Sequence, residues 1–268
     1  MNPVMSRMNT YVRHFMIYNL ANRIPLYIIT EYPKSGGSWV GQMLEKALEV
    51  PFPRNRFPVF GKSIMHGHYL NPGKMKNVVV VWRDGRDVLV SWYYHCLFVH
   101  EYGNERIVRR TRRELAFESY ENIRANLPRF IEYAFTRQPN PHFSWTDFVG
   151  KWAGRRDVIH VRYEDIHSDT AGELRRIILE LGGRSVSPKT AEQIAREFSF
   201  ARQSREGRSR GKSFLRKGIV GDWRNHFSAE ARIAFDRYAG DALIRLGYEK
   251  DHRWMTDETA YREQDRLS

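Results

Sequence analysis

The chain has 268 residues, of which 41% are hydrophobic and 13% are aromatic, a composition that supports a packed core and argues against a disordered chain. Its 44 basic and 31 acidic residues leave a formal net charge of +13. Such a charge attracts anions but does not choose among nucleic acid, membrane surfaces and phosphorylated small molecules.

Cysteine usage and the first thirty residues bear on the compartment. Cys96 is the only cysteine, so an internal disulfide and a cysteine-rich metal site are both excluded. Residues 1–30 carry several polar residues and no run near the ~18 apolar residues that a membrane span needs. We therefore expect a cytoplasmic protein with no membrane span and no metal.

The apolar pattern alternates between strands and helices along the chain. Continuous apolar or β-branched runs predict strands at 25–30, 77–83 and 158–166. Helical spacing predicts helices at 39–50, 87–99, 168–183, 187–198 and 228–247, and a mostly helical stretch at 100–150. This alternation predicts an α/β fold in which a parallel sheet is flanked by helices. We expect a single domain over 1–268, with 100–150 covering the top of the sheet.

The first predicted strand is followed by the segment "EYPKSGGSW" (31–39). Gly36 and Gly37 would let backbone N–H groups approach an anion at the start of a helix, and Lys34 would add a positive charge. The alternative is a tight turn without a ligand. A nucleotide-kinase loop has its lysine after the last glycine, in the form GxxxxGK[ST], and this segment lacks that order. A small-molecule kinase is therefore a weaker alternative.

Two later segments also combine positive charge with turn residues. Arg83 ends the strand 77–83 and Ser91 lies eight residues further on, so both could bind one anion; alternatively, Arg83 pairs with a neighbouring aspartate. The segment "RKGIVGDWRNHF" (216–227) follows a basic stretch at 201–213 and is typical of a loop closing over an anion. Alternatively, this segment is a solvated charged loop or an arm that binds nucleic acid.

Together these three segments resemble the cytosolic-type sulfotransferases. That family transfers a sulfuryl group from 3′-phosphoadenosine 5′-phosphosulfate to a hydroxyl or amine. Its motifs are close to YPKSGTTW, an arginine with a serine eight residues later, and RKGxxGDWKxxF. This chain matches them from about residue 25 to about residue 250, except that Gly37 and Ser38 stand where the family has two threonines and Arg224 where it has lysine. The resemblance implies a P-loop-like, nucleoside-kinase-like fold.

The resemblance also implies residue roles. Lys34 would stabilise the leaving oxygen, and a histidine closing the strand before 77–83 would be the base. His66 follows two apolar residues and is preferred over His68. The residues that would bind the donor, and its product adenosine 3′,5′-bisphosphate, are Lys34, Ser35, Gly36, Gly37, Ser38, Trp39, Arg83, Ser91, Tyr163, Phe200, Arg216, Lys217 and Gly218.

The sequence says less about the acceptor and the partners than about the donor. A small-molecule, lipid or glycan acceptor fits the family, and arginines and aromatics at 95–145 do not choose among them. The family's dimer motif is matched poorly after residue 227, so a homodimer is left open. A nucleic-acid-binding protein using basic stretches 106–113 and 202–212 is the alternative from another class, but we find no helix-turn-helix or RNA-binding motif.

Overall fold

A computed structural model of the chain describes residues 3–21, 23–54, 56–99, 105–182, 185–199 and 218–256. The helices in chain order are α1 (Pro3–Phe15), α2 (Gly37–Leu48), α3 (Gly85–Leu97), α4 (Glu105–Glu114), α5 (Ile123–Arg137), α6 (Trp145–Trp152), α7 (Tyr163–Ser168), α8 (Thr170–Glu180), α9 (Pro188–Glu197) and α10 (Ala229–Arg245). The strands are β1 (Leu26–Glu31), β2 (Ser63–Gly67), β3 (Val78–Trp82) and β4 (Ile159–Arg162). A π-helical turn (Met16–Leu20) and two 3₁₀ turns (Asp222–Asn225 and His252–Met255) complete the elements.

The predicted elements lie close to where the sequence pattern placed them, with one correction. The run 158–166 is not one strand, because β4 ends at Arg162 and α7 begins at Tyr163. An acidic pair in the first turn of α7, Glu164 and Asp165, suits the positive end of a helix. The apolar and β-branched pattern of the run hid this change from strand to helix.

Residues 1–83 and 154–203 form one compact unit, and this first unit contains the sheet. Its four strands are all parallel, in the order β2-β1-β3-β4. Every residue of β3 is buried, as expected for a β-branched run covered on both faces. On one face of the sheet, apolar side chains of α2, α8 and α9 pack against β1, β2, β3 and β4. The predicted parallel α/β fold is confirmed.

Residues 84–153 and 204–268 form a second compact unit, and its described elements are all helices. Helix α10 lies at its centre, with Phe235 in contact with Trp145 of α6 and Phe135 of α5. The stretch 100–150 thus belongs to this helical unit. That it covers the sheet, and that 1–268 is one domain, stay predictions.

No helix among the described residues is both long enough and apolar enough to span a membrane.

Candidate functional site

The strand order of the first unit reverses next to β1. The chain runs from β1 outward to β2 and then returns to place β3 on the other side of β1. In open parallel sheets such a reversal opens a crevice beyond the carboxyl ends of the strands, where ligands bind. The segment 32–36 and Arg83 leave the sheet on the two sides of this point, directly after β1 and β3.

The loop 32–36 has an unusual backbone. Lys34 has φ of 77° although it is not a glycine, and Gly36 has φ of 102°. Gly36 is also the N-cap of α2, whose first turn therefore points toward the loop. A Cβ on Gly36 would lie 2.7 Å from Cδ2 of Tyr163, so a larger residue would be strained in its backbone and would collide with this ring. Glycine at position 36 thus lets the loop adopt this backbone and pack closely against Tyr163.

An arginine and two aromatic rings flank the loop. The guanidinium of Arg83 stacks on the ring of Tyr163, 4.4 Å from its centroid, and Nη1 donates a hydrogen bond of 3.2 Å to the carbonyl of Lys34. The Trp39 ring lies 5.7 Å from that of Tyr163. Its Nε1 donates to the carbonyl of Phe198. The structure therefore brings together four residues that the sequence predicted for donor binding.

The two loop serines have different surroundings. Ser35 is buried, and its N–H donates to the carbonyl of Tyr32 in a tight turn. Ser38 lies in the first turn of α2 and accepts a hydrogen bond from Nη2 of Arg54, at 3.4 Å. Arg54 is a further cation beside the loop, and sequence reasoning had not included it.

The two candidate histidines lie at the carboxyl end of β2, with their ring centroids 5.8 Å apart. His66 is largely buried, and its Nε2 lies 2.9 Å from Oε1 of Glu31. His68 is exposed, and its Nδ1 lies 3.0 Å from the backbone carbonyl of Glu31. A carbonyl only accepts hydrogen bonds, so Nδ1 of neutral His68 carries the hydrogen and Nε2 carries the lone pair.

Two opposing effects act on the protonation of His68. Although His68 is partly exposed, the protein atoms packed around the rest of the ring lower its pKa more than attraction by the Glu31 carboxylate raises it. The net effect is a pKa below the ordinary histidine value of about 6.5. A lowered pKa favours the neutral imidazole, which is the form that accepts a proton.

Glu31 is a second residue of this site that sequence reasoning missed. It ends β1, is only 4% exposed, and contacts both His66 and the N–H of Gly37. A charged residue closing a buried apolar run was a signal that the sequence offered. Its partners are not neighbours in sequence, so their identity was not readable there.

Part of the third predicted segment lies in the second unit. Asp87, in the first turn of α3, accepts hydrogen bonds from the N–H groups of Gly221 and Trp223, at 2.7 and 2.8 Å. These bonds hold residues 221–223 of that segment. Gly218, where its described part begins, has a left-handed φ of 64°. Ser91 lies on the same helix and is buried. Phe200, Arg216 and Lys217 lie outside the described residues.

A buried arginine also stabilises the N-terminus of α3. Arg86 forms ion pairs with Asp84 at 2.7 Å and Glu249 at 2.5 Å. Its guanidinium lies 3.8 Å from the Trp223 ring centroid and 4.7 Å from that of Trp254. The burial of this charge is therefore compensated by two carboxylates and two aromatic faces.

Within the described ranges, no group of three or more His, Cys, Asp and Glu side chains is arranged to hold a metal ion.

Comparisons with known proteins agree on one family. Residues 62–247 match the model of the sulfotransferase domain. The chain is 25% identical to sulfotransferase 1E1 of Rattus norvegicus over 261 residues, covering 79% of this chain and 81% of that protein. It is 25% identical over 261 residues to the Homo sapiens protein of the same name, with the same coverage.

Solved structures of low sequence identity share the fold. The mouse sulfotransferase SULT7A1 complexed with PAP has a TM-score of 0.65 at 20% identity, over 88% of this chain and 90% of that chain. Retinol dehydratase, in complex with androsterone and the inactive cofactor PAP, has a TM-score of 0.62 at 17% identity, over 88% of this chain and 85% of that one.

Replacing Gly36 tests the loop geometry. We expect Gly36→Ala to lower the free energy of unfolding by about 1–3 kcal/mol, because alanine is strained at this φ and its Cβ meets Tyr163. Thermal unfolding followed by circular dichroism measures the change. Gly61→Ala is the matched control, since its Cβ would meet nothing within 4 Å. Equal melting temperatures for the two variants would contradict the role given to Gly36.

A second substitution tests the anchoring of the third segment. Asp87→Ala removes the acceptor of two backbone N–H groups in a buried region, and each unsatisfied buried group costs about 1–3 kcal/mol. We expect the melting temperature to fall by about 5 °C or more. Replacement of the exposed Glu118 by alanine serves as the control. A melting temperature for Asp87→Ala as high as that of the control would mean that these bonds contribute little.

Proposed function

The chain belongs to the cytosolic-type sulfotransferase family, and we propose that it transfers a sulfuryl group from 3′-phosphoadenosine 5′-phosphosulfate to a hydroxyl or amine of a small-molecule acceptor. The observation that carries this proposal is the glycine-containing loop 32–36 at the strand-order reversal, which includes Lys34 and receives a hydrogen bond from Arg83. A nucleic-acid-binding role would require neither this loop nor a histidine at the end of β2.

The residues present fit the donor. The loop leads into the N-terminus of α2, a kind of site that binds anions, where the N–H of Gly37 is bound by Glu31. Trp39 and Tyr163 offer aromatic faces for an adenine, and Arg83 a planar set of donors for a phosphate. Ser91, Phe200, Arg216, Lys217 and Gly218 are assigned to the same donor only by the family's motifs.

Lys34 and a histidine would do the chemistry. We propose that Lys34 directs its ammonium at the oxygen that leaves with the bisphosphate, where negative charge grows only in the transition state of an in-line transfer. The acceptor must lose a proton, and a positioned base contributes about 10²–10⁴-fold.

The sequence interpretation preferred His66 as this base, and the contacts of the two rings favour His68 instead. His68 is more exposed than His66, its lowered pKa favours the neutral ring, and its lone pair is on Nε2. His66 is largely buried, and one of its nitrogens is already used by Glu31. We therefore propose His68 as the base.

The acceptor class, the cellular compartment and the metal requirement are proposals. We propose a cytoplasmic enzyme that needs no metal, in line with the single cysteine and the family. Lipid and glycan acceptors, and a homodimer, are further predictions from sequence.

The donor site is tested by calorimetric titration with adenosine 3′,5′-bisphosphate. We expect saturable binding that depends on the 3′-phosphate, because Arg83 and the third segment are assigned to that group. AMP and ATP are the controls, since neither carries a 3′-phosphate. Binding of AMP as tight as that of the bisphosphate would contradict the donor assignment, and an absence of binding would favour a polyanion-binding role.

The base assignment is tested with His68→Ala and His66→Ala. We expect His68→Ala to lower kcat by about 10²-fold or more with little change in bisphosphate affinity. The measurement is transfer of labelled sulfate to the best acceptor in a panel of phenols, alcohols and amines. His142→Ala, at an exposed position of the second unit, is the control. A loss of turnover in His66→Ala alone would return the assignment to His66.

The pH profile tests the same assignment independently. A base acts when it is deprotonated, so kcat/KM should rise with pH through the pKa of His68 in the free enzyme. Because that pKa is lowered, the acid limb should lie below about 6.5, and the profile should be flat near pH 7. An acid limb above pH 7 would contradict the proposed role of His68.

A further inference from the structure

Helix α1 buries polar side chains and exposes apolar ones, which is the reverse of the usual arrangement. A helix on the surface of a protein normally packs its apolar side inward and leaves its polar side in water. In α1 the polar residues Asn9 and Arg13 are buried. Four large apolar side chains of the same helix are between 46% and 73% exposed, and we call them the outer face of α1: Met5, Met8, Tyr11 and Phe15.

Hydrogen bonds hold the polar side of α1 inward. Arg13 donates from Nε to Oδ1 of Asn9 at 2.9 Å, and from Nη2 to the backbone carbonyl of Arg56. Rotating the helix about its axis would break the bond to Arg56 and leave a buried cation with fewer partners, which is costly. The residues of the outer face follow one another at spacings of three and four, so they share one side of the helix. Their exposure is therefore fixed by the packing of α1.

A second group of exposed apolar side chains follows the residue that Arg13 contacts. Phe57, Val59 and Phe60 are exposed, and they lie between two exposed cations, Arg56 and Lys62. Large apolar side chains that are exposed together and rimmed by charge mark an interaction site. The segment 56–62 and the outer face of α1 thus give the first unit two neighbouring apolar surfaces.

The segments that carry these surfaces have charge of one sign. Residues 1–30 and 50–83 contain nine lysines and arginines and no aspartate or glutamate, so all 31 acidic residues of the chain lie elsewhere. In the described part of the chain, the exposed members of this set are Arg23, Arg56, Lys62, Lys74 and Lys76. Exposed apolar side chains and uncompensated positive charge together are complementary to a partner that is both apolar and anionic.

We propose that the outer face of α1 and the segment 56–62 bind the surface of a membrane that contains anionic lipids. The methionines and aromatic rings enter the boundary between headgroups and acyl chains, and the lysines and arginines contact the lipid phosphates. A bilayer offers apolar contact and negative charge in the same plane, which is the combination that these segments match. This binding is independent of the proposed sulfuryl transfer.

Other partners match only one of the two properties. A second copy of the chain would cover the apolar side chains, but it would bring two cationic surfaces together, and like charges repel. Nucleic acid would suit the cations, but binding to its phosphate backbone does not need exposed methionine and phenylalanine. The anionic bilayer is therefore the favoured partner.

Sedimentation with lipid vesicles tests the proposal. We would compare vesicles of phosphatidylcholine alone with vesicles of equal parts phosphatidylcholine and phosphatidylglycerol. We expect wild type to prefer the anionic vesicles and to be released from them as salt is added, because salt screens exposed charges. Met8→Gln/Phe15→Gln should bind at least about tenfold more weakly, since two large apolar side chains no longer enter the lipid.

Leu179→Gln/Ile233→Gln is the matched control. Both residues are exposed apolar side chains on other helices, α8 and α10, and this variant has the same net charge as Met8→Gln/Phe15→Gln. It should bind as wild type does. Equal binding by the two double variants would mean that charge alone attracts the protein, and the inference would be overturned. It would also fail if wild type did not bind the anionic vesicles.

Light scattering decides between the bilayer and a second copy. We expect Met8→Gln/Phe15→Gln to have the same molar mass in solution as wild type. A wild-type dimer that this variant dissociates would assign the outer face of α1 to a second copy and would overturn the inference.

A fluorescent label reports the contact at a single residue. Cys96 is the only cysteine and is buried, so a thiol-reactive dye labels a cysteine introduced at an exposed position. We would attach a polarity-sensitive dye to Met8→Cys and, as control, to Leu179→Cys. Anionic vesicles should shift the emission at residue 8 to shorter wavelength and leave that at residue 179 unchanged. Unshifted emission at residue 8 on vesicles that have bound the protein would contradict the proposed contact.

Discussion

The parallel pairing of β1 with both β2 and β3 is the constraint on which the site depends. Parallel strands end at the same edge of a sheet, so Glu31, His66 and Arg83 are brought to one edge from separate parts of the chain. The loop after β1 then leads directly into α2, and the N–H of its first residue, Gly37, donates to Glu31. The catalytic and donor-binding proposals both follow from this shared edge.

Buried charge organises the described parts of both units, and in each case the charge is compensated by partners from elsewhere in the chain. In the first unit the Glu31 carboxylate is held by His66 and by the N–H of Gly37. In the second unit the Arg86 guanidinium is held by Asp84 and Glu249. An uncompensated buried charge is very costly, so each set of partners strongly restricts the local structure.

Gly37, which stands where the family's motif has a threonine, lies next to one of these buried charges. Read in sequence, it removes a hydroxyl from the loop and weakens the match to the family. In the structure, the space is occupied by Glu31 and His66, which supply a carboxylate and an imidazole at that place. The departure from the motif is therefore better described as an exchange of polar groups than as a loss.

The sequence by itself determined the family and the alternation of strands and helices, and it predicted a donor site at Lys34 to Trp39 with Arg83 and Tyr163. These depend on local pattern: β-branched runs form buried strands, and glycines mark the turn before a helix. Only the tertiary structure decided that Glu31 faces His66, that His68 keeps its lone pair on Nε2, and that α7 begins at Tyr163. The partners of Glu31 and His68 lie 35 and 37 positions away in the sequence. Such contacts arise from strand pairing, which a local sequence pattern does not encode.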